Sequence, residues 1–212
     1  MSNILRNTTL SYESITISKG NSKMGLIPSV SLPAGITCNP DAPCYKACYA
    51  RRLAARRKNV RLSYEKNLRL WESQPDIYKL QIKAAASMQR FFRYHVSGDI
   101  PDKNYLNMMV EIADEVPECQ FMAFTKQYQL VNDWIVEKGE LPKNLQIIFS
   151  VWRGFDCLNI YKLPEAHVHY RDGERTARPD AQQCGGNCTK CCLGGEGCWN
   201  LKSGEQIEIN EH

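Results

Sequence analysis

From Phe91 to Tyr170 the chain repeats one pattern: a short apolar run, a polar turn, then an amphipathic helical stretch. "FFRYHV" leads through "SGDIPD" into "KNYLNMMVEIADEV". "QFMAF" leads through "TKQ" into "YQLVNDWIVEKG", and "LQIIFSV" through "WRGFD" into "CLNIYKL", read as a short helix. "AHVHY" closes the series as a further strand. Adjacent parallel strands need a crossover, and a helix between strands supplies it. The alternation therefore predicts an α/β fold of βα units on a parallel sheet, a partial (βα) barrel. Upstream, "YESITIS" and "LIPSVSLP" alternate as strands do. Ala47 to about Trp71 reads as one helix, and Pro75 opens another over "DIYKLQIKAAASMQRFF". After Arg171 no core-forming period remains, and only "EQIEI" suggests one added edge strand. The predicted organisation is a βα unit over residues 1–172 and a cysteine-rich tail over 173–212.

Ligands in such folds bind beyond the carboxyl ends of the strands. Those ends carry Cys38, Ser97-Gly98-Asp99, Thr125-Lys126, Ser150 to Arg153, and Arg171. Lys126 and Arg153 are placed there to hold a carboxylate or phosphate. His95 reads as a core or supporting residue, while His167 and His169 share one side of a strand.

Cysteine is unevenly spread. Of ten, three lie at 38, 44 and 48, five at 184, 188, 191, 192 and 198, and Cys119 and Cys157 stand alone. The start of the chain has no basic segment followed by an apolar one, and no apolar run approaches the roughly 20 residues needed to span a bilayer. A cytoplasmic setting without a membrane partner is expected, where thiols are ligands more often than disulfides. The spacing C-x5-C-x3-C puts three thiolates in one loop, a set that holds three irons of a [4Fe–4S] cube and leaves the fourth open to substrate or S-adenosylmethionine. Zinc fits that loop less well, because no His or fourth Cys lies near. A zinc deaminase is excluded: its P-C-x-x-C element needs one residue fewer than "PCYKAC" has, and no H-x-E precedes it. The terminal "CGGNCTKCCLGGEGCW" offers four ligands and a spare, for a closed [4Fe–4S] cluster or for structural zinc. Its glycines let backbone wrap closely around sulfur, and Trp199 would cover it.

Two resemblances add to this. The triad after a first strand, Tyr49 beside its last Cys, and "HVSGD" at the end of the next strand resemble the radical-SAM superfamily, although the usual triad there is C-x3-C-x2-C. The resemblance implies that Ser97, Gly98 and Asp99 hold the amino group of S-adenosylmethionine. It also implies that reductive cleavage of that cofactor yields a 5′-deoxyadenosyl radical which abstracts hydrogen from a substrate, given an electron donor. Over nearly the whole chain, "PCYKACYARR", "FRYHVSGDI…YLNMMVEIADEVPECQFMAFTK" and the terminal cysteine pattern resemble the phage-encoded gene product 88 family. By that pattern the terminal ligands are Cys184, Cys188, Cys191 and Cys198, with Cys192 as the spare or as a substitute for Cys191.

The expected function is an iron–sulfur protein with two clusters, Cys38, Cys44 and Cys48 holding the one with the open iron. Two other readings stand beside it. One is a non-catalytic iron–sulfur module for electron transfer, redox sensing or partner binding. The other is a zinc-stabilised phage accessory protein that binds nucleic acid through the basic run "RRLAARRKNVR". A net charge of +4 decides little between them.

Overall fold

A computed structural model describes residues 13–211. Two short strands come first, β1 (Ile17–Ser18) and β2 (Ser29–Val30), then four helices: α1 (Cys44–Ala47), α2 (Tyr49–Arg56), α3 (Lys58–Ser73) and α4 (Pro75–Ala86). The alternating middle gives β3 (Phe91–Tyr94), α5 (Lys103–Glu115), β4 (Gln120–Thr125), α6 (Tyr128–Lys138), β5 (Leu145–Val151) and β6 (Glu165–His169). The cysteine-rich segment adds β7 (Gln182–Gln183), α7 (Cys188–Gly194), a 3-10 turn (Gly197–Trp199) and β8 (Gln206–Asn210).

Local chemistry explains the helix ends. Asp102 caps α5 by accepting from the Tyr105 N–H at 2.8 Å. Pro75 occupies the first turn of α4, where its missing N–H costs nothing, and α6 stops at Gly139, whose φ is 95°.

The strands form one eight-stranded sheet in the order β1-β2-β3-β4-β5-β6-β8-β7. β1 runs antiparallel to β2, and every other pairing is parallel. From β2 to β6 each strand lies beside its predecessor, so successive crossovers step in one direction. Right-handed crossovers stepping one way put their helices on one face. That face buries Phe92, Tyr94, Phe121, Ile147 and Phe149 against Leu70 and Trp71 of α3, Tyr78 and Ile82 of α4, Met109 of α5 and Trp134 of α6. The opposite face buries Met122, Ile148, Ala166 and Ile207, and no crossover helix covers it. Its cover comes from Met24 and Ile27 and from Cys192, Trp199 and Leu201 of the cysteine-rich segment.

The predicted α/β class and parallel sheet are observed, but the strand order is linear, with edges at β1 and β7, and the barrel expectation reduces to this singly wound sheet. Three local expectations need correction. The single helix over 47–71 is two, because Arg57 leaves helical geometry at φ −122°, ψ 89°. "CLNIYKL" is not helical. The Asn159 amide accepts from the Leu163 N–H at 2.8 Å and donates to the Leu163 carbonyl at 2.7 Å, and Lys162 takes φ 53°. Such side-chain bonds give the backbone an alternative to the helix. "EQIEI" is not an edge strand: β8 lies between β6 and β7. Among the described residues, no helix is long and apolar enough to cross a membrane.

Candidate functional site

β2 ends at Val30, and its parallel direction delivers the following loop to the carboxyl ends of the sheet. There the loop turns tightly, with the Ile36 and Thr37 N–H groups both donating to the Pro33 carbonyl at 3.3 Å. The Thr37 hydroxyl then accepts from the Asp99 N–H at 3.1 Å. Gly98, at φ 82°, lies so close that a Cβ would stand 2.7 Å from Thr37 Oγ1 and 2.8 Å from the Leu32 carbonyl oxygen, so only glycine fits. The Ser97 carbonyl accepts from the Leu32 N–H at 3.0 Å. The Ser97–Asp99 turn therefore braces the loop that carries Cys38.

Asp99 is buried. Its carboxylate accepts from the Thr125 hydroxyl at 2.6 Å, the Ile100 N–H at 2.8 Å and the Lys126 N–H at 2.9 Å. Burial raises its pKa, and these donors oppose the rise. The Lys126 ammonium donates to the Ser150 hydroxyl at 2.9 Å and lies 5.2 Å from the centre of the Trp152 ring.

The three thiols of this loop are free and half-buried. Burial pushes Cys38 up to about 11, against an N–H from Gly35 that reaches its sulfur at 3.5 Å; the charges of Asp99, Cys48 and Cys44 add to the rise. Burial also raises Cys44, opposed by the charge and hydrogen bond of Lys126. Cys38 and Cys44 are thus both affected by the charges of Cys48 and Asp99, and Cys44 also by that of Lys126. Cys48 begins α2, and the next residue, Tyr49, donates its hydroxyl to the Val96 carbonyl at 2.7 Å.

Arg153 does not join this group. Its guanidinium pairs with Asp172 at 2.5 Å and Glu174 at 2.8 Å and stacks over Tyr170 at 4.2 Å. His95 is buried in the core against the Tyr105 hydroxyl at 3.2 Å. His167 and His169 lie on the face opposite Ala166. His167 there bonds Glu165 at 2.9 Å and Thr176 at 3.2 Å. Cys119 is buried and Cys157 half-buried, and burial pushes both thiols up to about 12.

The second thiol group lies on the sheet face that no crossover helix covers. Cys184 is tied to β8 through its N–H and the Glu208 carbonyl, 2.9 Å. Asn187 caps α7 by accepting from the Lys190 N–H at 3.0 Å. The Cys188 N–H donates to the Lys23 carbonyl at 2.9 Å, and the Thr189 hydroxyl to the Met24 carbonyl at 3.0 Å. Gly197, at φ 65°, lets the backbone come close to Cys191, where a Cβ would stand 3.0 Å from the sulfur. Every pair among Cys184, Cys188, Cys191 and Cys198 interacts: charge on Cys184 raises Cys188, Cys191 and Cys198, charge on Cys188 raises Cys191 and Cys198, and charge on Cys191 raises Cys198. Burial is the larger cause in each, and takes Cys198 to about 12. Cys192 is buried in the apolar cluster with Ile27 and Trp199, against which Cys184, Cys188 and Cys198 also pack. Among the described residues, no group of three or more His, Cys, Asp or Glu is arranged to hold a metal ion as it stands.

Residues 2–177 match the gene product 88 family. The chain belongs to that family. The match contains Cys38, Cys44, Cys48, Ser97 to Asp99, Lys126 and Arg153, and it ends before Cys184. No curated protein and no solved structure matches the chain. The radical-SAM resemblance thus rests on the motifs alone.

One contributor was missed in the sequence: Thr37 carries no motif and acts through its contacts with Asp99 and the Pro33 carbonyl.

Proposed function

We propose that this member of the gene product 88 family is an iron–sulfur protein with two centres. Cys38, Cys44 and Cys48 hold a cluster with one open iron, and Cys184, Cys188, Cys191 and Cys198 hold a closed one. The observation that carries this reading is the gathering of three free thiols with Asp99 and Lys126 at the carboxyl ends of parallel strands. The donor chemistry fits. Gly35 already donates an N–H to the Cys38 sulfur, and Lys126 supplies positive charge beside Cys44. In a cube each thiolate has its own metal atom, so the ligands stand farther apart than four thiolates around one ion.

When bound, a cluster with an open iron supplies a coordination position and an electron, which suits reductive cleavage of S-adenosylmethionine. The chain's own residues do the remaining work. Burial raises the Cys38 and Cys44 thiols, so loading would release their protons and strengthen as pH rises. Lys126, held by Ser150, balances thiolate charge. Asp99, with both oxygens engaged by Thr125, Ile100 and Lys126, braces the loop. That leaves the main-chain groups and hydroxyl of Ser97 as the nearer partners for a ligand amino group. Among the described residues, the Ser97 hydroxyl is buried and has no hydrogen-bond partner.

Anaerobic reconstitution with iron and sulfide tests the reading. About eight irons with matching sulfide per chain are expected for two cubes. Zinc without sulfide would overturn it. Added S-adenosylmethionine should perturb the electron paramagnetic resonance signal of the reduced protein and release 5′-deoxyadenosine. Silence in both would leave an iron–sulfur module without that chemistry.

One observation favours a second reading, nucleic-acid binding. Arg51, Arg52, Arg56, Arg57, Lys58 and Arg61 are all exposed along α2 and α3, and no acid occurs between Asp41 and Glu65. Among these six, only Arg61 has an ion pair among the described residues, with Glu65 at 3.2 Å. A nucleic-acid ligand would give affinity that falls linearly in log–log with salt. Replacing Arg52, Arg56 and Arg57 by Glu should abolish it. Binding indifferent to these changes would end this reading.

A further inference from the structure

Arg93 stands on β3, on the face opposite the crossover helices. Phe92 and Tyr94 point to the helices, whereas Phe91 and Arg93 point to the cysteine-rich cover, where the Phe91 ring meets Trp199 at 5.2 Å. On β4 the same alternation puts Met122, Phe124 and then Lys126 on that face, and on β5 it puts Ile148, Ser150 and then Trp152 there. The cover is uneven along the strands. Met122 and Ile148 are buried, but Phe124, Lys126 and Trp152, nearer the carboxyl ends, are only half-buried, as is Arg93.

Two cations stand at this open end, each against a ring. The Arg93 guanidinium lies 4.8 Å from the centre of the Phe124 ring. The Lys126 ammonium lies 5.2 Å from that of Trp152 and donates to the Ser150 hydroxyl at 2.9 Å. Arg93 pairs in register with Met122, so Phe124 falls between the two cations along β4. Among the described residues neither cation has a carboxylate within ion-pair distance. Residues 1–12 contain no Asp or Glu to supply one. Asp99 accepts the main-chain N–H of Lys126, not its ammonium. The Arg93 Nε is also buried without an acceptor, and a charged donor left so is costly unless an anion meets it.

We propose that Arg93 and Lys126 form an anion site at the open end of this sheet face, and that its ligand is a phosphate monoester. A carboxylate is satisfied by one guanidinium through two parallel bonds. Two fixed cations on adjacent strands, with a hydroxyl beside one of them, suit a group with two charges and three oxygens. A phosphate monoester is such a group above its second pKa of about 6. A phosphodiester carries a single charge, so the backbone of a nucleic acid matches the pair less well. The site is built from side chains alone. It stands apart from the iron–sulfur reading and from the basic run of α2 and α3.

The experiment uses the full chain, freed of metal and of chelator, with inorganic phosphate as the probe and titration calorimetry at pH 8 as the readout. Wild type should bind one phosphate. R93M and K126M should each bind about tenfold more weakly or worse, the ordinary loss of a hydrogen bond to a charged group. Dimethyl phosphate, a monoanion, and succinate, a dianion without phosphorus, should bind wild type more weakly than phosphate does. The R52E/R56E/R57E variant should bind phosphate as wild type does. R93Q and K126Q serve the same comparison if the methionine variants do not fold, with melting curves taken without phosphate as the check. Phosphate binding that the Arg93 and Lys126 variants leave unchanged, binding lost in R52E/R56E/R57E instead, or no binding at all would overturn the proposal. Succinate bound as tightly as phosphate would overturn the monoester assignment. Iron and sulfide uptake is measured separately, so failure here leaves the iron–sulfur reading standing.

Discussion

The Asp99 carboxylate receives the Thr125 hydroxyl at 2.6 Å, joining the turn after β3 to the end of β4 inside a buried region. Because the Asp99 carboxylate also accepts the Lys126 N–H and its main-chain N–H donates to the Thr37 hydroxyl, one residue couples two strand ends to the loop bearing Cys38. T125V keeps the shape and removes the donor. Leaving a buried acceptor short of a partner costs on the order of 1–3 kcal/mol. Urea denaturation should register that loss, and T125S should recover most of it. An unchanged midpoint in T125V would show that the bond contributes nothing.

His95 gives the protein a pH-dependent stability. Burial, then the charge of Arg93, lowers its pKa from 6.5 to about 3. The folded state keeps the ring neutral while the unfolded state takes a proton below pH 6.5. The stability it contributes is complete above pH 6.5 and is lost as pH falls from there toward 3, by roughly 1 kcal/mol per pH unit. Denaturation midpoints measured between pH 7 and 5 should show this slope in wild type. H95N should flatten it, since Asn tolerates the φ of 57° at this position.

Glu165 acts at lower pH. Its hydrogen bond from His167, then those from Asn159 and Gln206, outweigh burial and bring its carboxyl down from 4.5 to about 2. The stability gained is present above pH 4.5 and is lost as pH falls toward 2. Acid titration of unfolding should lose part of its steepness in that window in E165Q. Equal profiles for the two proteins would refute the assignment.

Cys191 and Cys192 are adjacent but have different surroundings. C192A should lower thermal stability by about 1 kcal/mol, the ordinary cost of a small deletion in a packed interior, and leave metal content unchanged. C191S should do the reverse. G197A, whose new methyl would press on the Cys191 sulfur, should behave like C191S. Metal content together with a melting curve distinguishes the two patterns.

The parallel sheet was legible because two consecutive units, from Phe91 and Gln120, carry their own strand and helix periods, and Leu145 opens a further apolar strand. The thiol loop was legible from spacing. What escaped depended on contacts remote in sequence. Arg57 breaks a helix without Pro or Gly to announce it. Asn159 captures its own backbone through a side chain, which no apolar period records. β8 enters between β6 and β7, a choice made by pairing across about 40 residues of chain. That Cys192 is the more buried of the two adjacent cysteines depends on how a short helix packs against Ile27 and Trp199. Arg153 stands at a strand end as expected, yet two nearby acids take it.

The face of the sheet without crossover helices is closed by a segment that follows all but one of the strands it covers. Until Cys192, Trp199 and Leu201 leave the ribosome, Met122, Ile148 and Ala166 have only the stretch around Met24 and Ile27 to shield them. A nascent chain halted before Cys184 would present a sticky hydrophobic flank, the kind of surface on which chaperones act. Burial of that flank therefore waits for the segment from Cys184 to Leu201 to emerge.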